Sequence, residues 1–349
     1  MWPAHAEAPP ERGTVSLKYL DYLDSQPGSD RIKVGATALG VSAPINSTWS
    51  FDGSLISDVI SGASPAYYTA TRSFSNIIDR RRAVDVNLTH YALDMSFKVG
   101  LSASNESDYE SRALSAQISL PSDDRNTTYK FGVGLTKDNI QSNIDKTLSE
   151  NKTTVDWMAG VTQVFTPNDI GQLIATYVNG QGFFTDPYKL LDNRPRVKQI
   201  KTLLGRWNHF FSGSENTLRL SYRYYTDSND VRAHTVISEL AFAPIAGFAL
   251  TPLVRFYTQT AANFFVPPDP AFPNRVNIPE DYAPGVSYLS FDPRVSAFRG
   301  LTLGLKITKK IDEDWSIDLK VERYEQRPTS EGLANFGART LQIGVTRQF

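Results

Sequence analysis

The sequence predicts an all-β fold, a transmembrane antiparallel β-barrel of about 16 strands with short periplasmic turns and long extracellular loops. Three observations point there. Apolar and polar residues alternate with period two through most of the 349-residue chain, the signature of strands with one apolar and one wet face. The connections between these segments alternate between short and long, as expected when one barrel end is periplasmic and the other extracellular. Finally, no run of 18 apolar residues occurs, which excludes helical spans but leaves a membrane barrel open.

Strands are expected to start near residues 13, 31, 47, 79, 94, 111, 127, 153, 170, 198, 215, 232, 247, 294, 314 and 337. Trp49, Phe51 and Leu55 oppose Ser50, Asp52 and Ser54 on the third of them. Met95, Phe97, Val99 and Leu101 alternate with Ser96, Lys98, Gly100 and Ser102, and Tyr129, Phe131, Val133 and Leu135 with Lys130, Gly132, Gly134 and Thr136. Later strands repeat the pattern: Leu218, Leu220, Tyr222 and Tyr224 against Thr217, Arg219, Ser221 and Arg223; Leu301 to Ile307; Trp315 to Val321. The second face is rich in Gly, Ser, Thr and charge of both signs, which suits a wet lumen better than the outer surface of a soluble sandwich. Aromatic residues near strand ends (Trp49, Tyr129, Trp157, Trp207, Tyr224, Phe256, Tyr257 and Trp315) are expected to form interfacial girdles.

Short connections are expected near 43–46, 91–93, 121–126, 165–169, 211–214, 243–246 and 309–313. Longer ones fall near 24–30, 59–78, 104–110, 138–152, 180–197, 263–292 and 326–336, and 227–231 is short on the long side. The loop 263–292 carries Pro267, Pro268, Pro270, Pro273, Pro279 and Pro284; proline keeps it from adding strands and stiffens it, and it is expected to narrow the barrel. The segment 59–78, with Tyr67 and Tyr68, is the second candidate. Residues 1–12 read as a flexible leader, in which Ala4-His5-Ala6 resembles the end of a secretory signal, and 13–349 as one barrel domain.

The 36 basic and 37 acidic residues balance to a net charge of −1, so nothing suggests a nucleic-acid partner. With no Cys and four His, thiolate metal sites, iron–sulfur clusters and disulfides are excluded. His5, His90, His209 and His234 lie on distant segments, so no metal and no cofactor is expected. No nucleophile elbow, phosphate loop or dinucleotide fingerprint occurs, and no enzymatic activity is expected. A catalytic reading would require Ser107, Asp108 and His234 to converge at the barrel mouth. Glu106, Asp108 and Glu110, and separately Asp227, Asn229 and Asp230, are acidic turns that offer oxygen ligands for Ca²⁺ or simply face solvent.

Alternation places a set of charges on the wet face: Asp52, Asp58, Asp85, Asp156, Glu239, Asp318 and Glu322 against Lys98, Lys130, Arg219, Arg223, Arg255, Lys306 and Lys320. Their near balance predicts a lumen crossed by ion pairs without strong selectivity for either sign. Arg219, Arg223 and Arg255 are the candidates for a basic ladder. At the end of the chain, Leu341, Ile343, Val345 and Phe349 share a face. This resembles the C-terminal signal read by the barrel-assembly machinery, with Arg347 standing where an apolar residue is usual.

Several ordered segments resemble an uncharacterised family of proteobacterial outer-membrane proteins, a domain of unknown function. They are Asp58 to Pro65, Ser107-Asp-Tyr-Glu-Ser111, Asp186-Pro-Tyr-Lys189, Arg194-Pro195, Tyr222 to Asp227, Arg255 to Ala262 and Asp292-Pro-Arg-Val-Ser296. The resemblance implies a barrel in the bacterial outer membrane, in contact with its lipid and lipopolysaccharide, and implies no activity. It also implies a genomic setting beside a periplasmic thioredoxin-like protein, a small lipoprotein and a flavin transferase. Two functional expectations follow. The first is a porin-like channel or barrel scaffold. The second is a sheath or docking barrel for a periplasmic or surface partner, a redox carrier or small lipoprotein, in extracytoplasmic electron transfer or assembly.

Overall fold

The computed structural model describes residues 8–27, 29–62, 77–189, 191–269, 278–283, 285–330 and 332–349. Sixteen strands follow one another: β1 (Thr14–Gln26), β2 (Ser29–Asn46), β3 (Trp49–Gly62), β4 (Ile77–Tyr91), β5 (Ser96–Asn105), β6 (Tyr109–Pro121), β7 (Thr127–Gln141), β8 (Ser149–Thr166), β9 (Asp169–Gly182), β10 (Val197–Phe211), β11 (Asn216–Asp227), β12 (Arg232–Ile245), β13 (Phe248–Gln259), β14 (Phe298–Lys310), β15 (Trp315–Pro328) and β16 (Phe336–Gln348). Every expected start lies within four residues of an observed one. Each strand pairs antiparallel with its sequence neighbours, and β1 pairs with β16 from Thr14↔Gln348 to Ser25↔Gly337, so the sheet closes. Closure leaves no strand edge, the condition for crossing a bilayer, where unpaired backbone amides cost several kcal/mol each.

The period-two pattern sorts the two faces. Leu17, Leu55, Leu101, Leu114 and Leu303 lie on the outer face with half or more of their surface exposed, an arrangement stable only against lipid. In register across the sheet, outward Tyr222 meets Val236, Val236 meets Phe256 and Phe256 meets Leu301. Trp49, Tyr129, Trp207 and Trp315 form an outward girdle at the turn end, and Trp157 stacks on Tyr177 higher on the same face. Tyr257 does not belong to this girdle: its neighbour Phe256 faces lipid, so alternation turns Tyr257 into the lumen.

The turn end is compact, with connections such as 47–48, 167–168 and 246–247, the longest being 122–126. At this end the termini meet. Gly13 and Phe349 exchange backbone hydrogen bonds at 2.8 and 2.9 Å, and the Phe349 ring occupies the space where a Gly13 side chain would stand. Leu341, Ile343 and Val345 line up outward on β16, and Arg347 lays its guanidinium 5.4 Å from the Trp315 ring. A snorkelling arginine on an interfacial tryptophan accounts for a charge at that position.

The loop end differs from expectation in three places, one being 138–152, which shrinks to the connection 142–148. Residues 24–30 and 104–110 make tight hairpins with connections of only 27–28 and 106–108. The strands there continue beyond the membrane, where both faces are wet and alternation no longer reports them. The longest connection, 260–297, and the loop 183–196 are as long as expected. Tyr67, Tyr68, Pro65, Pro270, Pro273, Pro284 and Ala4-His5-Ala6 lie outside the described residues. Among those described, the buried apolar side chains gather at the loop end, as Leu289 with Phe291 and as Val231 with Ala262 and Phe264.

Candidate functional site at the roofed mouth of the lumen

The strand register places all fourteen charges expected in the lumen on the face opposite the lipid-exposed one. Several are paired. Lys98 lies 3.8 Å from Asp52, which also accepts the Ser42 hydroxyl at 2.7 Å. Asp58 accepts Arg81 at 2.8 Å, Glu239 stands 3.6 Å from Arg219, and Glu322 2.9 Å from Lys320. Asp85 accepts Ser54 at 3.1 Å. Asp156 fills the space left by Gly134. Asp318 is buried with Oδ2 lacking a hydrogen-bond partner among the described residues. Lys306 faces Lys320 directly across β14 and β15, and Lys130 faces Gly160 across β7 and β8.

The expected basic ladder is divided by this pairing. Arg219 is compensated by Glu239, but no carboxylate lies within 4 Å of Arg223 or Arg255 among the described residues. Arg223 and Tyr257 flank Thr235 on either side in the sheet register, and Arg255 is 5.6 Å from the Tyr257 ring. Tyr257 belongs to a collar that sequence reasoning missed. On four strands a lumen tyrosine donates its hydroxyl to the residue two places on: Tyr22 to Asp24 at 3.3 Å, Tyr225 to Asp227 at 2.7 Å, Tyr257 to Gln259 at 2.7 Å and Tyr324 to Gln326 at 3.0 Å. Residues i and i+2 share a face in a strand, so Tyr-x-Asp or Tyr-x-Gln before a loop was the available signal. Phe336 and Phe298 fill the gaps, 6.0 Å from Tyr324 and 5.5 Å from Tyr257. The result is an aromatic wall from β1 round to β11, with Arg31, Arg223 and Arg255 set into it.

Above the wall lies a roof made of loops. Asp292, which is almost fully buried, caps the short 3-10 turn Pro293–Val295 and accepts Arg194 at 2.8 Å and Arg294 at 2.5 Å. Arg194 also reaches Asp192 at 2.8 Å, and Arg294 reaches Asp186. The 183–196 and 260–297 loops are thus clamped together by two charge pairs, Arg194 with the buried Asp292 and Arg294 with Asp186. Burial works against the Asp292 charge, but the hydrogen bond and charge of Arg294 outweigh it and hold the carboxyl down at about 2. Burial lowers the Lys189 ammonium pKa, partly countered by Asp292 and reinforced by Arg294 and by Arg31 on the lumen face of β2. From its place between β9 and β10 this loop reaches Asp108 in the β5–β6 hairpin through Tyr188 and Asp292 before β14 through Arg194, so it extends over the mouth.

The roof is anchored around its rim. Tyr188 donates to Asp108, and burial followed by that carboxylate pushes the phenol up to about 12. Asn263 donates to Asp230 at 3.1 Å, and Gly332, at φ +77°, packs beneath Pro268. Ala262 and Phe264 pack against the lumen-facing Tyr225, so the long loop bends inward. The acidic turns are drawn into the same construction. Asp227 accepts the backbone amides of Asn229 and Val231, the Tyr225 hydroxyl and Lys198 at 3.2 Å, which makes it a loop cap. Glu110 turns outward to Arg112. Asp79 joins Glu106 and Asp108 instead, with ligand oxygens within 4.8 Å of one another. Burial and then the neighbouring Asp79 raise the Glu106 pKa.

The segments Asp186 to Lys189, Arg194-Pro195 and Asp292 to Ser296, 98 residues apart at the Arg194–Asp292 contact, meet in the roof clamp. Tyr222 to Asp227 and Arg255 to Ala262 supply the tyrosine collar and the two arginines. Ser107, Asp108 and His234 do not converge. Ser107 Oγ is bonded to Asn143, while His234 sits on the outer face against Tyr222 at 2.7 Å. His90 packs at a tilt against Trp49, and His209 bonds Asp169 at 2.8 Å, on the outer face at the turn end.

Comparison with known proteins agrees with this architecture. The family described as "Protein of unknown function (DUF3570)" matches residues 68–150 and 141–346. No curated protein matches. Among solved structures, a bacterial polysaccharide outer membrane secretin superposes with a TM-score of 0.51 at 7% identity, covering 96% of this chain and 98% of that one. CdiB from Acinetobacter baumannii gives a TM-score of 0.54 at 11% identity over 95% of this chain, which spans only 60% of CdiB. OccK1 (OpdK) from Pseudomonas aeruginosa gives 0.48 at 9% identity, over 97% and 98% of the two chains. At such identities the likeness is one of fold. It is the fold of bacterial outer-membrane barrels.

Proposed function

The chain belongs to the DUF3570 family, and from that premise we propose that it is a porin-like passage through the outer membrane whose roofed mouth selects small organic anions. The observation that carries this reading is the uncompensated pair Arg223 and Arg255 set in the tyrosine wall directly beneath the roof. Elsewhere in the lumen the ion pairs Lys98–Asp52, Arg81–Asp58, Arg219–Glu239 and Lys320–Glu322 balance their own charge, so the preference for one ion sign is modest and arises at this level. Guanidinium groups flanked by phenols suit a carboxylate or phosphate attached to a flat organic body. The roof clamped by Asp292 narrows the entrance from the long-loop side. The barrel itself performs no covalent chemistry in this reading, and the outward face of β16 with Phe349 is the handle for the assembly machinery.

Single-channel recording in a planar bilayer under a salt gradient tests the proposal. Steady conductance with a reversal potential on the anion side is expected, together with a shift toward cations in Arg223→Gln/Arg255→Gln. Silent bilayers from a preparation that carries a stoichiometric second subunit would move the function to that partner, with the barrel as its sheath. An unchanged reversal potential in the double variant would remove the two arginines from any role in selection.

A further inference from the structure

The outer face carries a second unusual arrangement, remote from the lumen. On β14 to β16 the apolar band runs from Trp315 through Ile317, Leu319 and Val321, then stops abruptly at Arg323 toward the loop end. Arg323 stands directly opposite Arg339 in the β15–β16 register, and two positions higher on the same face Arg327 stands directly opposite Arg299 across β14–β15. Like charges directly opposite each other in a sheet repel and destabilise it. Among the described residues, Glu325 is the carboxylate that pairs with these arginines, 2.9 Å from Arg323 and 3.7 Å from Arg327. The nearby Asp21 is engaged by Lys33 at 3.6 Å. Below Arg323 and Arg339 opens a groove lined by Leu303, Leu305, Val321 and Leu341, with the Lys33-paired Asp21 also at its wall. An excess of positive charge at the upper border of the lipid-facing band, with an apolar groove running down from it, is shaped for an amphiphile that has an anionic head and an acyl tail.

We propose that this face is a binding site for the phosphorylated glycolipid of the outer leaflet, with a lipid phosphate held between Arg323 and Arg339 and an acyl chain in the groove beneath. A phosphate between the two guanidiniums turns cross-strand repulsion into two bidentate charge-assisted contacts. Arg327 and Arg299 receive a second phosphate or a sugar acid. The side chains of Arg323 and Arg327, each 77% exposed, have the reach to meet a headgroup. Charge complementarity favours this occupant over a protein partner, because the groove continues into the band that lipid must already cover. The site is independent of the lumen, so it stands or falls apart from the channel reading.

The test is native mass spectrometry of the detergent-purified protein titrated with bis-phosphorylated lipid A, with enzymatically dephosphorylated lipid A, and with inorganic phosphate alone. The expected result is one tightly held bis-phosphorylated lipid, bound at least tenfold more weakly by Arg323→Gln/Arg339→Gln and unaffected in the outward control Arg112→Gln. Dephosphorylated lipid and inorganic phosphate should each bind at least tenfold more weakly than the intact lipid. Retained affinity in the double variant, or equal affinity for the dephosphorylated lipid, overturns the site. Inorganic phosphate binding as tightly as the lipid overturns the groove's part in it. Unshifted heat-modifiability on a gel confirms that the variants are folded barrels. Should the double variant not fold, Arg323→Gln alone and the salt dependence of wild-type binding provide the same reading, with salt-independent binding counting against the proposal.

Discussion

The turn end and the loop end of this barrel are built on different principles. At the turn end, hairpins of a few residues join strands whose outward Trp49, Tyr129, Trp207 and Trp315 sit at the interface, and local turn chemistry suffices: Asn46 accepts Thr48 N–H at 2.9 Å within one hairpin. At the loop end, stability comes from contacts between residues far apart in sequence, such as Arg194 with Asp292 and Tyr188 with Asp108. A repeating local rule therefore makes one end a scaffold. The other end is unique, with its chemistry concentrated in a clamp, a collar and two unpaired arginines.

The largest expected effect falls on the clamp. Asp292→Ala leaves the mostly buried Arg194 guanidinium without that partner; breaking a buried pair costs about 3–5 kcal/mol, reduced here because the Arg294 side chain is 65% exposed. Limited proteolysis should cut 260–297 in the variant and spare it in the wild type, while the barrel stays heat-modifiable. Gly182→Ala comes next. Gly182 adopts φ +130°, and a Cβ there would lie 2.2 Å from the Asn151 carbonyl. A cost of about 1–3 kcal/mol is expected for such strain, read as a lower thermal midpoint in detergent. Gly213 lies in a turn, where an added Cβ would meet nothing within 4 Å, and should accept Ala within about 0.5 kcal/mol. Equal effects at the two glycines would break the contrast between the two ends.

Acid gives a graded version of the same contrast. The Asp292 pKa is depressed to about 2, so its stabilisation is fully present above the unfolded range near about 4 and is lost as pH falls through about 2. Protease sensitivity of the roof should rise across that window, well before any loss of barrel strand signal in circular dichroism. A smaller change than that at the clamp is expected from Tyr225→Phe, which removes one 2.7 Å hydrogen bond to Asp227. It should cost about 1 kcal/mol and loosen the 228–231 loop, measurable by hydrogen exchange at Asn229 and Val231.

The sequence made the scaffold legible because lipid outside and water inside impose period two on each membrane-crossing stretch. Asp52, Lys98, Arg219 and Glu239 could be assigned to one face by parity alone, and their strand partners then followed from antiparallel order. Parity failed where its cause was absent. Strand ends 24–26, 29–30, 104–105 and 109–110 carry mostly polar residues on both faces, so they looked like loops. Tyr257 was misplaced because its neighbour Phe256 is also aromatic, and only register decides between them. The clamp was hidden for a different reason: Asp186, Arg194 and Asp292 obey no period, and nothing in local spacing brings them together. Their segments stood out only through family resemblance, which marked them without saying what they do.

The central claim is that solutes pass the level of Arg255 inside the barrel. The chain contains no cysteine, so a single Arg255→Cys provides one clean target for a charged thiol reagent during single-channel recording, with Phe256→Cys as its outward-facing neighbour. The account predicts a stepwise drop in current on modification at position 255 and none at 256. A current indifferent to modification at 255, or no current from either protein, would contradict it.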